Sequence, residues 1–322
     1  MQSKQYLSIL FSFMSLLILL AIGYAYYFSK HYPLPITDRI SLDAKLQFVR
    51  DSIDVESVDT MIVGSSIGLN NIHGEVLENV SSQIHSVVNF SVYQATALQS
   101  EQLTHLSDTF PNLKRIIYSA QYSDFPHARK YQNFDTKRWV KYMRGDLNMI
   151  DTWLIFFRAC RNIMFCIERQ REWKSKHLQK NKFEYLGFDS TGSVPLHIYG
   201  EDIIGHRWRL PQPGIMHSQS FDAVVRMTDR ANRKGIEFYL AHQPYRDGLY
   251  KSKKGVKDAM SYFDKRIIEV FSQVKGKLIV LQALNVGDEY FADRSHLNDK
   301  GSILVSEAIG KFIDKTENRG KK

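Results

Sequence analysis

The chain has 322 residues, and its 43 Lys and Arg outnumber its 34 Asp and Glu, which gives a net charge of +9. A hydrophobic share of 43%, with 19 Phe and 17 Tyr, supports a sizeable core and excludes a wholly disordered protein. Two cysteines, Cys160 and Cys166, exclude a disulfide-framework protein and are too few for a four-ligand zinc site. A positive net charge is compatible with binding to nucleic acid or to anionic lipid, or with a basic segment that has a local role. The position of the charged residues along the chain distinguishes these cases.

The N-terminal segment is apolar and uncharged between Lys4 and Lys30, and these 25 residues span about 37 Å as a helix. Three tyrosines near its end are typical of a membrane interface: Tyr24, Tyr26 and Tyr27. We predict a cytoplasmic stub over residues 1–5 and a transmembrane anchor over residues 6–28. The alternative is a signal peptide cleaved at Gly23-x-Ala25.

The orientation of this anchor follows from the basic residues that flank it. Lys4 and the α-amino group favour a cytoplasmic N-terminus and an extracytoplasmic, periplasmic main domain. Lys30, Arg39 and Lys45 on the other side weaken that argument.

Five short apolar runs follow a predicted connector over residues 29–57, and each is typical of a buried strand. They cover residues 59–63, 85–89, 114–119, 236–241 and 277–281. Stretches with helical spacing of apolar residues alternate with the runs, which predicts a parallel sheet covered on both faces. We therefore predict one α/β domain over residues 58–125 and 218–315, with a tail over residues 316–322.

An insertion over residues 126–217 interrupts this alternation. Residues 127–183 carry 14 Lys and Arg against 5 Asp and Glu, so the whole net charge lies in this segment. Nucleic-acid binding is disfavoured because the segment belongs to a chain with a predicted anchor and without a nucleic-acid motif. We predict that neutralising Arg169, Arg171, Lys174 and Lys176 weakens binding to an anionic membrane or polymer.

The apolar centre of the insertion, Trp153–Ile167, contains Arg158 and Arg161 and is too short and too charged to span a bilayer. One interpretation is an amphipathic helix on the membrane, with three lysines reaching anionic groups: Lys174, Lys176 and Lys180. The other is a cap helix over the active site. In one continuous helix Cys160 and Cys166 lie on different faces, which predicts that they do not pair.

A candidate nucleophile follows the first predicted strand, where the sequence reads Gly64-Ser65-Ser66. Open α/β folds place reactive groups at the carboxyl ends of their strands. The backbone N–H of Ser66 is suited to face a developing oxyanion. The same tripeptide also occurs in ordinary turns.

A candidate acid–base pair, Asp293-x-x-His296, precedes the last predicted helix. This spacing lets the carboxylate meet Nδ1 of the imidazole and leaves Nε2 as a general base. The alternative is that Asp293 caps a turn and His296 is structural. Both this pair and Ser66 follow predicted strands, so they share one edge of the sheet.

These two motifs resemble the first and last sequence blocks of the SGNH (GDSL-like) hydrolase superfamily. The resemblance covers about residues 59–125 and 218–315 and implies a three-layer, flavodoxin-like α/β fold. It implies Ser66 as nucleophile with Asp293 and His296 as its partners. No cofactor and no metal is expected.

The middle blocks of that family fit less well. The family's second block has two glycines, and here Asn89-Phe90-Ser91-Val92-Tyr93-Gln94 has none. Gln121 stands where the third block supplies an asparagine, and it retains an amide donor. The oxyanion-hole candidates are therefore Ser66, Ser91 and Gln121.

A Gly-Ser-Ser variant behind one anchor is similar to the cell-envelope branch of the superfamily, which includes polysaccharide O-acetyltransferase-like and teichoic-acid D-alanine-transfer proteins. This resemblance implies an extracytoplasmic acyltransferase or esterase acting on a glycan, beside a multi-spanning membrane acyltransferase as partner. A catalytically silent scaffold that binds glycan or that partner is the alternative, favoured by the missing glycines.

Two other histidines lie near the predicted site. His242 follows the fourth predicted strand and either lines the pocket or packs a loop. His73, shortly after Ser66, is predicted to be structural.

Overall fold

The computed structural model describes residues 2–125, 134–178, 184–202, 216–246 and 254–320. Its centre is a five-stranded sheet formed by β1 (Thr60–Gly64), β2 (Val87–Asn89), β3 (Arg115–Ala120), β4 (Glu237–His242) and β5 (Lys277–Val280). The strand order is β2-β1-β3-β4-β5, and every pair is parallel, as in flavodoxin-like folds. Each predicted strand forms within two residues of its predicted bounds, so the α/β fold is confirmed.

Helices cover both faces of the sheet. The sheet and its coverings contain α2 (Ile40–Ser52), α3 (Ser66–Asn71), α4 (Gly74–Val80), α5 (Ala97–Thr104), α9 (Ser218–Arg233), α10 (Lys254–Gln273) and α11 (Asp299–Gly320). Successive strand residues point to opposite faces, so Met61 and Val63 join the core under α2, α5, α9 and α10. Ile62 joins the core under α4 and α11. The result is a three-layer sandwich.

The N-terminal apolar segment forms α1 (Gln2–His31). Residues Gln5–His31 are long and apolar enough to cross a membrane, with a mean hydropathy of 2.3 over their most apolar window. The last turns of α1 pack into the domain, because Ala25 and Phe28 are buried and the Phe28 ring lies 5.3 Å from that of Phe156. The helix therefore continues directly into the folded part of the chain.

The insertion contributes α6 (Thr136–Met143), α7 (Met149–Ala159) and α8 (Ile163–Leu178). The predicted single helix over 153–167 is wrong, because residues 160–162 separate α7 from α8. Cys160 and Cys166 are joined by a disulfide with their Cα atoms 5.5 Å apart, so the prediction that they do not pair is also wrong. The break in the helix brings the two side chains to one side.

The predicted connector contains α2, and α2 is built into the core through buried residues such as Leu42 and Leu46. Its buried Asp43 forms an ion pair with Arg169 of α8, which also contacts the Thr37 carbonyl. Arg169 is 3% exposed, so its place among the predicted surface charges is wrong. Arg171 and Lys174 are exposed, and Lys180 lies outside the described residues.

Residues 189–194 of the insertion lie against β2 at the edge of the sheet and against α3. The Asn89 N–H donates to the Thr191 carbonyl at 2.8 Å, and the Val194 N–H donates to the Leu69 carbonyl at 2.9 Å. Buried Lys45 of α2 joins the same junction by donating from Nζ to the Asn89 carbonyl at 2.8 Å and to the Gly192 carbonyl. Burial lowers the pKa of Lys45 to about 7, against the raising effect of Asp189. This lysine thus lies inside the domain rather than beside the membrane.

Candidate active site

The sharp turn after β1 places Ser66 at the first position of α3. A Cβ on Gly64 would lie 2.7 Å from the Ser119 carbonyl oxygen, so the close approach of β1 and β3 requires glycine there. Ser65 caps α3 by accepting the Ile67 N–H at 3.2 Å. The neighbouring serines therefore differ: Ser65 is buried in the cap, whereas Ser66 is only partly buried.

Ser66, His296 and Asp293 form a continuous chain of hydrogen bonds. Ser66 Oγ lies 2.8 Å from His296 Nε2, and His296 Nδ1 lies 2.8 Å from Asp293 Oδ2. The structure therefore brings together the three residues for which the sequence suggests a shared role. With Nδ1 as the donor to the carboxylate, Nε2 is the acceptor for the serine proton.

The Asp293 carboxylate is held in place by its own loop. Its Oδ1 accepts the N–H groups of Ser295 and His296, each at 2.8 Å. Burial alone would raise the pKa of Asp293, but the His296 imidazole and these hydrogen bonds outweigh burial and lower that pKa to about 2. Asp293 is therefore anionic at any physiological pH and suited to stabilise an imidazolium.

Asn71, at the end of the helix that Ser66 begins, ties that helix to the histidine loop. Its Nδ2 donates to the Ser295 carbonyl at 3.3 Å, and its Oδ1 accepts the Leu297 N–H at 2.9 Å. These two contacts lie on either side of His296, and Asn71 is fully buried. Asn71 was not predictable from the sequence, because a contact between residues more than 220 positions apart leaves no local pattern.

Asp124 is a second buried carboxyl near the serine turn, and no local sequence pattern predicts it either. Its Oδ2 accepts the Gln121 N–H at 3.0 Å, and its side chain also hydrogen-bonds to Ser65. Burial raises the pKa of Asp124 to about 7, although those hydrogen bonds and the nearby His296 lower it. Asp124 therefore connects the loop after β3 to the turn after β1.

Two of the three oxyanion-hole candidates already have acceptors in the resting structure. The Ser91 N–H donates to Asn89 Oδ1 at 3.0 Å. Gln121 Nε2 donates to the Pro244 carbonyl at 3.1 Å and to the Ser295 carbonyl at 3.4 Å. Gln121 thus lies against the loop that carries His296, and the oxyanion role of Ser66, Ser91 and Gln121 stays a prediction.

His242 is 1% exposed at the end of β4 and belongs to a buried polar network. Its Nε2 lies 3.1 Å from the Tyr245 hydroxyl, 2.7 Å from Gln282 Nε2 and 3.2 Å from Asp264 Oδ1. These contacts fasten β4 to α10 and to the segment after β5. Its predicted role as a pocket residue stays a prediction.

One group of side chains in the described part of the chain has the composition of a metal site: His73, Glu75 and Asp189, with ligand atoms within 4.8 Å of one another. Hydrogen bonds engage much of this group, because Asp189 Oδ1 accepts the Thr191 and Ser193 N–H groups and Glu75 Oε1 accepts from Ser190. His73 Nδ1 lies 3.4 Å from Asp189 Oδ2. The group joins the insertion to the α3–α4 junction, away from the Ser66–His296 contact.

The chain has little sequence similarity to the known proteins with which it was compared. No protein-family model and no curated protein matches it. It is similar in structure to a putative lipolytic protein of the G-D-S-L family from Desulfitobacterium hafniense DCB-2, at 14% identity over 79% of this chain and 99% of that one, with a TM-score of 0.40. A lipase/acylhydrolase from Enterococcus faecalis is similar at 12% identity over 80% of this chain and 97% of that one, with a TM-score of 0.43.

Proposed function

We propose that the protein is a membrane-anchored serine enzyme that transfers or hydrolyses ester-linked acyl groups through an acyl-Ser66 intermediate. The observation that carries this proposal is the hydrogen-bonded chain from Ser66 through His296 to Asp293, with 2.8 Å at each step. Such a chain supplies an activated hydroxyl nucleophile at neutral pH.

In the proposed reaction His296 Nε2 takes the proton of Ser66 as Oγ attacks the acyl carbonyl carbon. The tetrahedral intermediate collapses when its bond to the departing alcohol breaks, and the alcohol oxygen receives that proton from His296. A second alcohol or water then gives its proton to His296 and attacks the acyl carbon; the carbon–Oγ bond breaks, Oγ takes that proton from His296, and the acyl group leaves on the acceptor. Asp293 stabilises the imidazolium in both halves.

An extracytoplasmic location is supported by the Cys160–Cys166 disulfide, because such bonds persist mainly in oxidising compartments. Retention of the N-terminal helix is supported by the burial of Ala25 and Phe28 in the domain, since cleavage near Ala25 would remove part of that packing. Together these features favour an anchored domain outside the cytoplasm over a secreted one.

The serine mechanism is tested by labelling the detergent-solubilised full chain with a fluorophosphonate probe. We expect the wild-type protein to react and Ser66→Ala to lose the label. Ser65→Ala is the matched control, because it removes the neighbouring hydroxyl that caps α3 and leaves the Ser66–His296 contact. Absence of labelling in the wild type, or equal labelling of Ser66→Ala, contradicts the mechanism.

The molecule that accepts the acyl group from Ser66 distinguishes a transferase from an esterase. We propose a hydroxyl of a cell-envelope polysaccharide as the acceptor, with the acyl group supplied by a multi-spanning membrane acyltransferase. This acceptor is tested with an acyl-enzyme that carries an isotope label in its acyl group. The acyl-enzyme is incubated with a glycan, and the labelled acyl group is followed. Transfer to sugar hydroxyls supports the transferase, and release only as the free acid identifies a hydrolase.

A scaffold without catalytic activity is the second candidate function, and one observation favours it. The Ser91 N–H and Gln121 Nε2 donate to protein acceptors rather than to an open oxyanion site. Under this alternative Ser66→Ala retains full function in cells, whereas deletions within residues 127–183 abolish it. Loss of function in Ser66→Ala with normal protein levels excludes it.

A further inference from the structure

Five large apolar side chains on α7 and the start of α8 face outward. Ile150, Leu154 and Phe157 are spaced by four and three residues, so they share one face of α7. Their side chains are 68%, 45% and 41% exposed, and Ile163 and Met164 are each 49% exposed. We call these five residues the α7–α8 patch. A cluster of this kind on a water-soluble surface marks an interaction site.

The α7–α8 patch lies beside the end of the apolar N-terminal helix. On the buried face of α7, the Phe156 ring lies 6.0 Å from the Tyr24 ring and 5.3 Å from the Phe28 ring. From α8, Gln170 Nε2 donates to the Tyr24 hydroxyl at 3.1 Å. The patch therefore begins where the candidate membrane span ends.

Positive charge accompanies this apolar surface. An open cleft of about 460 Å³ separates the loop over residues 35–38 from α6, α7 and α8. Arg138 and Arg158 line the cleft together with one acid, Asp38, and neither arginine forms an ion pair within the described residues. Arg161, in the turn between the two helices, is exposed. Guanidinium groups of this kind match the phosphates of lipid headgroups.

We propose that the α7–α8 patch docks onto an anionic phospholipid bilayer, with Arg138 and Arg158 at headgroup phosphates. Apolar side chains flanked by arginines bind at the boundary between headgroups and acyl chains. The occupant is a bilayer because the span in α1 would bring lipid to the place where the patch begins. The disulfide between Cys160 and Cys166 holds the turn between the two helices in this arrangement.

The position of the patch is tested by spin labelling of the full chain in lipid nanodiscs. Leu154→Cys carries the label, and Leu304→Cys is the matched control, because Leu304 is a leucine on α11 with 40% exposure. The native cysteines are joined to each other and do not react. We expect the ratio of oxygen to nickel-chelate accessibility to be several-fold higher at 154 than at 304. Equal ratios overturn the proposal.

The role of the two arginines is tested with discs of phosphatidylcholine alone or mixed with phosphatidylglycerol. We expect the label at 154 to lie deeper in the anionic discs, and we expect Arg138→Gln with Arg158→Gln to remove that difference. Lys300→Gln with Lys311→Gln on α11 is the control and should preserve it. A difference that survives in the double arginine variant contradicts the headgroup contact.

A protein partner is the competing occupant of the patch. If the label at 154 is water-exposed in nanodiscs but protected in native membranes, a protein covers the patch and the lipid proposal fails. Fluorophosphonate labelling of Ser66 in the same samples is independent of this result, so failure of the docking proposal is distinguishable from failure of the serine mechanism.

Discussion

Asn71 is the residue that joins the two halves of the candidate active site. The halves are far apart in sequence, and one buried amide group contacts the chain on both sides of His296. Catalytic geometry depends on sub-ångström placement of the base against the nucleophile. We therefore regard Asn71 as a positioning residue for His296.

We predict that Asn71→Ala lowers the rate of fluorophosphonate labelling by about 10- to 100-fold, because the His296 loop loses two hydrogen bonds and shifts against Ser66. Asn70→Ala is the matched control, since Asn70 donates to the Val194 carbonyl in the insertion at 2.7 Å rather than to the histidine loop. Equal labelling rates in the two variants would exclude a positioning role.

Because of Asp124, the stability of the protein is expected to fall as the pH rises. Its pKa rises from an ordinary 3.8 to about 7, chiefly because of burial. Between these values the unfolded chain has lost the proton and the folded chain keeps it, so stability falls as the pH rises through this window, by at most about 4 kcal/mol.

Asp124→Asn is predicted to reduce this fall in stability, because asparagine retains an oxygen for the Gln121 N–H and does not titrate. The slope that remains belongs to buried Asp43, whose pKa is also raised, to about 8. The thermal unfolding midpoint of the solubilised full chain, followed between pH 4 and 8, measures how stability depends on pH. Asp222→Asn, an exposed carboxylate on α9, should unfold with the slope of the wild type. A wild-type slope in Asp124→Asn would contradict the assignment.

The residues visible from sequence are those with a local pattern. Ser66 follows a strand and a glycine, and Asp293 precedes His296 by three positions, so both could be proposed from spacing alone. Asn71 and Asp124 act through contacts with distant parts of the chain or through burial. Neither property leaves a signature in a single sequence.

At the scale of elements, the strands were predictable and the course of the insertion was not. Each strand is a short apolar run bounded by polar or turn residues. Residues 153–167 contain no glycine or proline, and the local signal for the break at 160–162 is weak: Asn162, whose Oδ1 accepts the Met164 N–H at 3.2 Å at the start of α8. Likewise, the ion pair between α2 and α8 joins Asp43 to Arg169, which lies 126 residues away.

The ion pair between α2 and α8 yields a stability prediction. Arg169→Ala should lower the free energy of unfolding by about 3–5 kcal/mol, because the Asp43 carboxyl, whose pKa burial already raises to about 8, keeps only its hydrogen bonds to Thr37 and Ile36 and loses the buried guanidinium. Arg171→Ala, two residues along α8 and exposed, should stay within about 0.5 kcal/mol of the wild type. A lowered thermal unfolding midpoint for Arg169→Ala alone is the expected result, and equal midpoints would contradict it.

At the scale of the whole molecule, the redox state of the disulfide tests whether the domain lies in an oxidising or a reducing compartment. We predict that a thiol-reactive polyethylene glycol maleimide does not modify Cys160 and Cys166 in protein taken from cells until reductant is added. Cys166→Ser leaves the partly exposed Cys160 as a free thiol and should react without reductant. Immediate modification of the unreduced wild-type protein would place the domain in a reducing compartment.

The three-layer architecture and the apolar N-terminal helix were both predictable, because each rests on hydrophobic periodicity along the chain. How the insertion attaches was not predictable. It contacts β2 through the Thr191 carbonyl and α3 through the Val194 N–H, and backbone hydrogen bonds carry no sequence signal.

The burial of Phe28 against Phe156 fixes how far the domain can move from the end of α1. A domain on a flexible linker of about 20 residues explores a radius of about 25 Å, whereas α1 runs into the fold and leaves no such linker. If α1 spans a bilayer and Ser66 acts as proposed, Ser66 is held at one height above the lipid, and its encounter rate with a substrate depends on presentation at that height. Under that proposal, distance from the membrane limits the accessible substrates before any contact within the site does.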